Sequence, residues 1–145
     1  MEYREIKISD TKAMAELFVK SFNAAPWNDN WTIETASKRL GQMINTEDSY
    51  GILAYEEDML YGMVLGCEEQ YYNGIMFNIK EFCVSNDMRN SGLGTIIITE
   101  FEKRLKDRDI KEIVLLTSRG AGTEGFYNRR GFKSYEGMVM MGKEI

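Results

Sequence analysis

The sequence predicts a mixed α/β (α+β) domain in which a central, mostly antiparallel sheet is flanked by helices. Three observations lead there. Apolar residues recur at helical spacing in three stretches, around 14–22, 33–44 and 93–105. Between 51 and 84 the character changes to short apolar runs separated by polar turns, as in a meander of strands. A further short apolar run follows the third helical stretch. The 145 residues are 43% hydrophobic and 28% charged and carry no linker, repeat or low-complexity segment, so one domain over 1–145 is expected.

Residues 3 to 8 alternate as Tyr-Arg-Glu-Ile-Lys-Ile, a first strand, and Ser9-Asp10 offers side-chain oxygens to cap a helix. That helix would bury Met14, Leu17, Phe18 and Phe22. The Pro26 and Asn/Asp cluster up to Asn30 interrupts it. A second helix follows Thr32, with Ile33, Ala36, Leu40, Met43 and Ile44 on one face. Gly51 to Tyr55 and Leu60 to Cys67 read as a hairpin around Glu56-Glu57-Asp58, and Asn73-Gly74 turns the chain into a third strand, Met76 to Val84. Gly92 to Arg108 is the third helix, its stripe formed by Leu93, Ile97, Ile98, Phe101 and Leu105. Lys111 to Thr117 suits a buried strand, and a glycine-rich segment and a short helix follow it. Gly131 to Tyr135 and Met138 to Gly142 close the expected order, β-α-α-β-β-β-α-β-α-β-β.

Composition narrows the chemistry. A formal net charge of −5 disfavours a nucleic-acid backbone as partner, because phosphate binding needs a basic face. The absence of histidine removes Ser-His-Asp and Cys-His mechanisms and most catalytic metal sites, so no metal is expected. Proton transfer is left to Glu, Asp, Tyr, Lys, Cys or water. Cys67 and Cys83 lie in strand-like runs without disulfide or zinc spacing, which suits small core residues in a reducing compartment. The amino-terminal residues lack a signal pattern and no apolar run has bilayer length, so a cytoplasmic protein without a membrane partner is expected.

The most informative stretch is Arg89-Asn90-Ser91-Gly92-Leu93-Gly94, between the strand ending near Val84 and the third helix. Glycines permit positive φ and close approach of a ligand, and the N–H groups of a helix's first turn point at an anion such as a pyrophosphate. The segment resembles the GNAT superfamily signature Arg/Gln-x-x-Gly-x-Gly/Ala, which joins a strand to a helix. Glu81-Phe82-Cys83-Val84 upstream and Gly125-Phe126-Tyr127-Asn128-Arg129-Arg130-Gly131-Phe132 downstream are similar to two further elements of that family. The resemblance implies an acetyl-CoA-dependent N-acetyltransferase whose backbone amides from Arg89 through Asn90, Ser91, Gly92, Leu93, Gly94 and Thr95 hold the coenzyme pyrophosphate. It also implies that the strand residues Phe82, Cys83 and Val84 line the thioester, between strands that splay apart. A competing pattern, Gly120-Ala121-Gly122-Thr123-Glu124-Gly125, spells the dinucleotide fingerprint G-x-G-x-x-G. Only a few residues separate it from the Gly131-Phe132 break, too few for the crossover helix and second parallel strand that a dinucleotide site requires.

Acetyl transfer to an amine needs a deprotonated nucleophile, oxyanion stabilisation and, where the leaving thiolate requires it, a proton. At pH 7 about 0.1% or less of an alkylammonium is neutral, so a base contributes materially. Glu81 is the candidate, expected between Ile79 and Cys83 on one face of the strand, with a pKa raised by burial; a solvated glutamate paired with Lys80 is the alternative. A backbone N–H near Cys83 would serve the oxyanion. The resemblance implies that Tyr127 is the general acid toward the coenzyme sulfur, and packing of the last helix is the alternative role. Many relatives carry Asn seven residues before that tyrosine, where this chain has Gly120, so Ser118 or Thr123 is expected to replace the pantetheine contact.

For the acceptor, Phe22, Trp27, Asp29 and Trp31, with Glu34 and Glu81, combine aromatic faces with carboxylates, a set suited to a cationic small-molecule amine. Tyr50, Tyr71 and Tyr72 are candidates for the same wall. Packing of the tryptophans into the core competes with that reading. Pro26-Trp27 followed by Trp31 resembles aminoglycoside N-acetyltransferases and similar small-amine enzymes. Polyamines, amino acids and protein or peptide amines are competing acceptors. The rival class is a non-catalytic acyl-CoA-binding sensor of the same fold, and a homodimer remains open.

Overall fold

The computed structural model describes residues 1–145 and divides into two compact units, Met1–Leu115 and Leu116–Ile145. The first unit contains β1 (Glu2–Glu5), α1 (Thr11–Phe22), α2 (Ile33–Ile44), β2 (Ser49–Glu56), β3 (Met59–Tyr71), β4 (Gly74–Val84), α3 (Leu93–Asp107) and β5 (Glu112–Leu115). Its sheet has the order β1-β2-β3-β4-β5, antiparallel throughout except for the parallel β4–β5 pair. The sheet therefore matches the expected mixed, mostly antiparallel architecture.

Local chemistry explains the boundaries. β1 stops at Glu5 because Ile8–Asp10 forms a 3-10 turn, in which the Lys7 amide donates to Asp10 Oδ2 at 2.7 Å. Asp10 thus caps that turn and makes no side-chain cap to α1. α2 starts with a reciprocal cap: the Thr35 amide donates to Thr32 Oγ1 at 3.1 Å and the Thr32 amide to Thr35 Oγ1 at 3.0 Å, satisfying two otherwise unpaired donors. β3 and β4 run longer than their apolar cores because the hairpin ladder continues through the polar residues to Tyr71 opposite Gly74.

Two helical layers bury the two faces of the sheet. On one face Met14, Ala15, Leu17 and Phe18 of α1 and Ala36 and Leu40 of α2 form a core with Leu53, Met63, Leu65 and Cys83. On the other, Phe101 of α3 stacks on Tyr50 with centroids 5.7 Å apart and meets Phe77 edge-on at 5.4 Å. Tyr50 thus belongs to the α3 layer and not to an acceptor wall; Tyr71 and Tyr72 are exposed at the β3–β4 hairpin.

One irregularity in the sheet positions the site. Leu65 lies opposite Glu81, whereas Gly66 lies opposite Ile79, so Lys80 is an extra residue in β4. Successive β3 residues point to opposite faces, so this bulge sends Glu81 and Cys83 to the α1/α2 face while Ile79 stays with the α3 face. The expectation that Ile79, Glu81 and Cys83 share one face is thereby corrected. Gly66 permits the bulge, since a Cβ there would lie 1.9 Å from the Asn78 carbonyl oxygen.

In the second unit, Glu124–Asn128 forms α4. Gly131 adopts φ 89 just past the helix, and the Phe132 amide then closes onto the Tyr127 carbonyl at 3.1 Å. Such a left-handed cap favours glycine and brings the following side chain back on the helix, here with the Phe132 and Tyr127 centroids 5.4 Å apart. The strands expected at Gly131–Tyr135 and Met138–Gly142 do not form. Met138–Met141 is an apolar run, but a strand is made by a ladder partner, and Met138, Val139, Met140 and Met141 are 76–86% exposed with no ladder.

Candidate active site

Glu81 is the buried acid of the first unit. It is 9% exposed, on the α1/α2 face of β4 immediately after the bulge. Its Oε1 accepts a 2.7 Å hydrogen bond from Arg39 Nε of α2, not from Lys80, which is exposed. Burial pushes the Glu81 carboxyl above the usual carboxylate range; the Arg39 hydrogen bond and charge oppose that rise, and Asp29 adds to it. A carboxylate so placed is a better proton acceptor near neutral pH than a solvated one. Beyond Arg39 lies a cavity of about 230 Å³ lined by Arg39, Met43, Thr46, Gly66, Cys67 and Lys80.

Arg39 escaped the sequence reading. It stands three residues after Ala36 and next to Leu40, at the border of the buried stripe of α2, and that border position is the signal the sequence offers. Its guanidinium carbon lies 5.9 Å from the Trp31 ring centroid. Trp31 is fixed in turn. Its backbone is clipped by Asn23, which accepts from the Trp31 amide at 2.8 Å and donates to its carbonyl at 2.9 Å, and its indole N–H donates to Asp29 Oδ2 at 3.1 Å. The Trp31 ring meets Phe18 edge-on at 4.9 Å, while Trp27 packs on Phe22 at 5.0 Å. Phe22 and Trp31 are therefore partly core residues, Asp29 is exposed beside Glu81's field, and Glu34 is exposed on the first turn of α2.

At the end of β4, three side chains tie the chain to the last turn of α1. Ser21 Oγ donates to the Val84 carbonyl at 3.3 Å, Asn86 Nδ2 to the Lys20 carbonyl at 2.7 Å, and Arg89 donates to the carbonyls of Ser21 at 2.8 Å and Ala25 at 2.7 Å. The Lys20 and Ser21 carbonyls are unpaired acceptors of the α1 C-terminal turn, where a cation such as Arg89 is also favoured electrostatically. The Arg89 guanidinium, 5.0 Å from the Trp27 centroid, is thus a clamp beneath the turn. Above it the turn is open: Asn90 has φ 61, Gly92 has φ 85, and Asn90, Ser91 and Gly92 are exposed. Ser91 Oγ bridges the Met88 carbonyl and the Leu93 amide. Nothing lies within 4 Å of a Cβ built on Gly92, so the backbone at Gly92, where the chain enters α3 with Leu93, Gly94 and Thr95, is approachable by an anion.

β5 pairs with β4 only from Met76 to Ile79, whereas the β3 ladder continues to Val84. The parallel pair thus ends where the bulge and Glu81 begin. Phe82, Cys83 and Val84 lie on the part of β4 beyond the end of that pair. The Cys83 thiol is not a nucleophile: burial, helped by the Glu81 charge, pushes it up to about 12.

In the second unit, Tyr127 sits in the last turn of α4 with its ring edge-on to Phe126 and Phe132. The Ser118 carbonyl accepts from the Glu124 amide at 3.2 Å, and Thr123 Oγ1 donates to the Gly120 carbonyl at 3.4 Å. Gly120 itself has φ 141. α4 is five residues long and no strand follows it, so the G-x-G-x-x-G stretch lacks the crossover a dinucleotide fold needs. No group of three or more Cys, Asp and Glu stands together as a metal site, and no helix is long and apolar enough to cross a membrane.

Residues 8–141 match the model of the acetyltransferase (GNAT) domain family. An uncharacterized N-acetyltransferase of Chlorobaculum tepidum is 29% identical over 76 residues, which is 52% of this chain and 46% of that protein, so the match spans about half of that relative's length. Among solved structures, a possible acetyltransferase from Clostridium difficile superposes with a TM-score of 0.80 at 15% identity, covering 99% of this chain and 97% of that one. A transcriptional regulator from Bacillus halodurans gives 0.76 at 20% identity, over 97% and 98% of the two chains. An aminoglycoside acetyltransferase from an uncultured soil metagenomic sample, solved with sisomicin, gives 0.71 at 15% identity, over 99% and 95%. At these identities the three structures share the fold.

Proposed function

The chain belongs to the GNAT acetyltransferase family, and we propose that it moves an acetyl group from acetyl-CoA directly to a primary amine. The observation that carries this reading is the buried Glu81 carboxylate, placed by the bulge where the β4–β5 ladder ends and one short connection before the open turn at Asn90–Gly92. Residues 1–145 act as one acetyltransferase domain in this reading, supported by a family match that runs through both units.

The open turn suits the pyrophosphate: the backbone from Asn90 to Thr95 and the dipole of the 15-residue α3 would receive an anion that the exposed Gly92 lets approach, with the Leu93 amide shared with Ser91 Oγ. The pantetheine arm would follow β4 along Phe82, Cys83 and Val84, with Ser118 and Thr123 as polar contacts proposed from the sequence. Glu81 takes a proton from the acceptor ammonium, directly or through water. The freed amine nitrogen bonds to the thioester carbon, a backbone N–H near Cys83 steadies the oxyanion, the nitrogen gives up its extra proton to water, and the C–S bond breaks as the carbonyl reforms. Tyr127 is assigned as donor to the departing sulfur on the aromatic-Tyr-x-x-x-Gly-Phe element.

The acceptor is proposed to be a small cationic amine, such as an aminoglycoside, polyamine or amino acid, held near Glu81 with Asp29 supplying negative charge and Trp27, Trp31 and Phe22 the aromatic surface. The exposed Asp29 carboxylate beside Trp31 supports this choice. A cytoplasmic location with no nucleic-acid partner goes with it. Release of free thiol from acetyl-CoA across a panel of aminoglycosides, polyamines, amino acids and peptide amines tests the reading. Turnover with one class supports it and names the class; saturable acetyl-CoA binding without thiol release overturns it in favour of a sensor.

A further inference from the structure

We propose that Arg39 is the positioning residue for Glu81: it pins Oε1 from across the α2–β4 interface and leaves Oε2 as the oxygen that takes the acceptor's proton. The inference rests on the reading of Glu81 as the base and adds a residue to that site. Arg39 Nε lies 2.7 Å from Glu81 Oε1, and the partners are 42 residues apart in sequence, so the bond is made only when α2 packs on the bulged half of β4. A glutamate has three rotatable bonds, and a carboxylate that wanders among rotamers presents its lone pairs to the acceptor only part of the time. The hydrogen bond from Arg39 Nε restricts that freedom.

The surroundings favour an orienting role over a stabilising one. Arg39 is 42% exposed at its side chain and Glu81 10%, so one partner stays in contact with solvent while the other is desolvated. Pairs of this kind add little net stability, since removing a carboxylate from water offsets the attraction. Arg39 is itself steered by the Trp31 ring, whose backbone Asn23 clips and whose indole Asp29 accepts. The charged and titratable groups facing Glu81 are therefore Arg39 from α2, Asp29 from the α1–α2 connection and Cys83 from β4 itself. Of these, only Arg39 favours the ionised carboxylate. Without it, burial and Asp29 act unopposed and the carboxyl holds its proton to higher pH.

The test uses the full-length chain. In Arg39→Met the acid limb of kcat/KM is expected to move to higher pH, with activity near pH 6 falling at least about 10-fold more than activity near pH 9. Arg39→Lys keeps a charge but replaces the planar guanidinium and its fixed Nε–H with a mobile ammonium; the limb should stay near that of the wild type while kcat falls at all pH values. A ¹³C NMR titration of the glutamate carboxyls, with Glu81 assigned by loss of its signal in Glu81→Gln, follows the same group without reference to turnover. An unchanged Glu81 titration in folded Arg39→Met overturns the proposal, as does an Arg39→Lys protein equal to wild type in both kcat and pH profile. Should Arg39→Met not fold, Arg39→Lys alone decides by that kcat criterion. If the titration moves as expected but the wild type transfers no acetyl group to any amine, the Arg39–Glu81 coupling stands and the acetyl-transfer reading falls.

Discussion

Replacing Gly66 by alanine tests whether the β4 bulge is what places the acid. A Cβ at that position would meet the Asn78 carbonyl oxygen at 1.9 Å, the Asn78 carbonyl carbon at 2.8 Å and the Ile79 Cα at 2.9 Å. All three are backbone atoms of β4, so no side-chain rotation relieves the overlap, and β3 and β4 must separate or β4 must shift its register. Overpacking costs about 1–3 kcal/mol where side chains can adjust, and a backbone clash belongs at or above the upper end, about 3 kcal/mol. For a chain of this size that corresponds to a fall in Tm of about 6–12 °C. Register relief has a functional signature as well, because eliminating the extra residue returns Glu81 to the α3 face, away from Arg39. Acetyl transfer should then fall further than the folded fraction. Gly41→Ala is the control: its Cβ meets nothing within 4 Å inside α2, and helix propensity predicts a gain of about 1 kcal/mol. Differential scanning calorimetry and the thiol-release rate on both variants decide the matter. A Gly66→Ala protein that melts within about 1 °C of wild type and keeps full activity would refute the claim that glycine holds the bulge open.

Three other perturbations have defined outcomes. Glu81→Gln should remove the Glu81-dependent acid limb of kcat/KM, which in the wild type lies above the ordinary glutamate range because burial raises the carboxyl and the base works only when ionised. It should leave a rise governed by the amine's own pKa of about 10.4, with turnover lost at neutral pH and partly recovered at alkaline pH. Equal loss at every pH would indicate a structural role. Gly92→Val forces a branched side chain into a φ of 85 and should weaken acetyl-CoA binding, read as loss of the thermal shift at millimolar coenzyme, more than it changes the acceptor KM. An undiminished shift in the folded variant would remove that turn from the coenzyme site. Tyr127→Phe keeps the ring between Phe126 and Phe132 and should lower kcat and kcat/KM together by roughly 10- to 1000-fold if the phenol protonates the sulfur. Unaltered kcat with a lower Tm would make Tyr127 a packing residue.

The three long helices were legible because each has one polar face, and the period of its apolar residues survives in the sequence as Met14-Leu17-Phe18, Ala36-Leu40 and Ile97-Phe101-Leu105. The open turn was legible for a different reason: a left-handed residue at the head of a helix has few acceptable side chains, and Gly92 occupies it. The final strands misled because apolar content between 131 and 142 sets a propensity without supplying a partner. Arg89 shows the limit of a motif, since its letter matches the turn while its guanidinium holds the end of α1.

The bulge was hidden for a deeper reason, and it also hid Arg39. β4 runs between two helical layers, so residues on both of its faces are buried: Phe77 and Ile79 toward α3, Glu81 and Cys83 toward α1 and α2. An inserted residue ordinarily betrays itself by breaking the alternation of buried and exposed positions, but here the better-buried face changes layer at the insertion, so the alternation runs on through it. Lys80 is exposed and Ile79 and Glu81 are buried on either side of it, which reads as continuous period-two patterning although the two neighbours face opposite layers. The one-residue flip therefore leaves the odd-numbered positions buried throughout, and only the partner strand records it, in a glycine whose missing Cβ makes room for the Asn78 carbonyl. Without the flip Glu81 would share the α3 face with Ile79, out of reach of a cation on α2. Once the flip is known, Arg39 follows, because it is the arginine that α2 presents at the border of its buried stripe to the face where Glu81 has been moved.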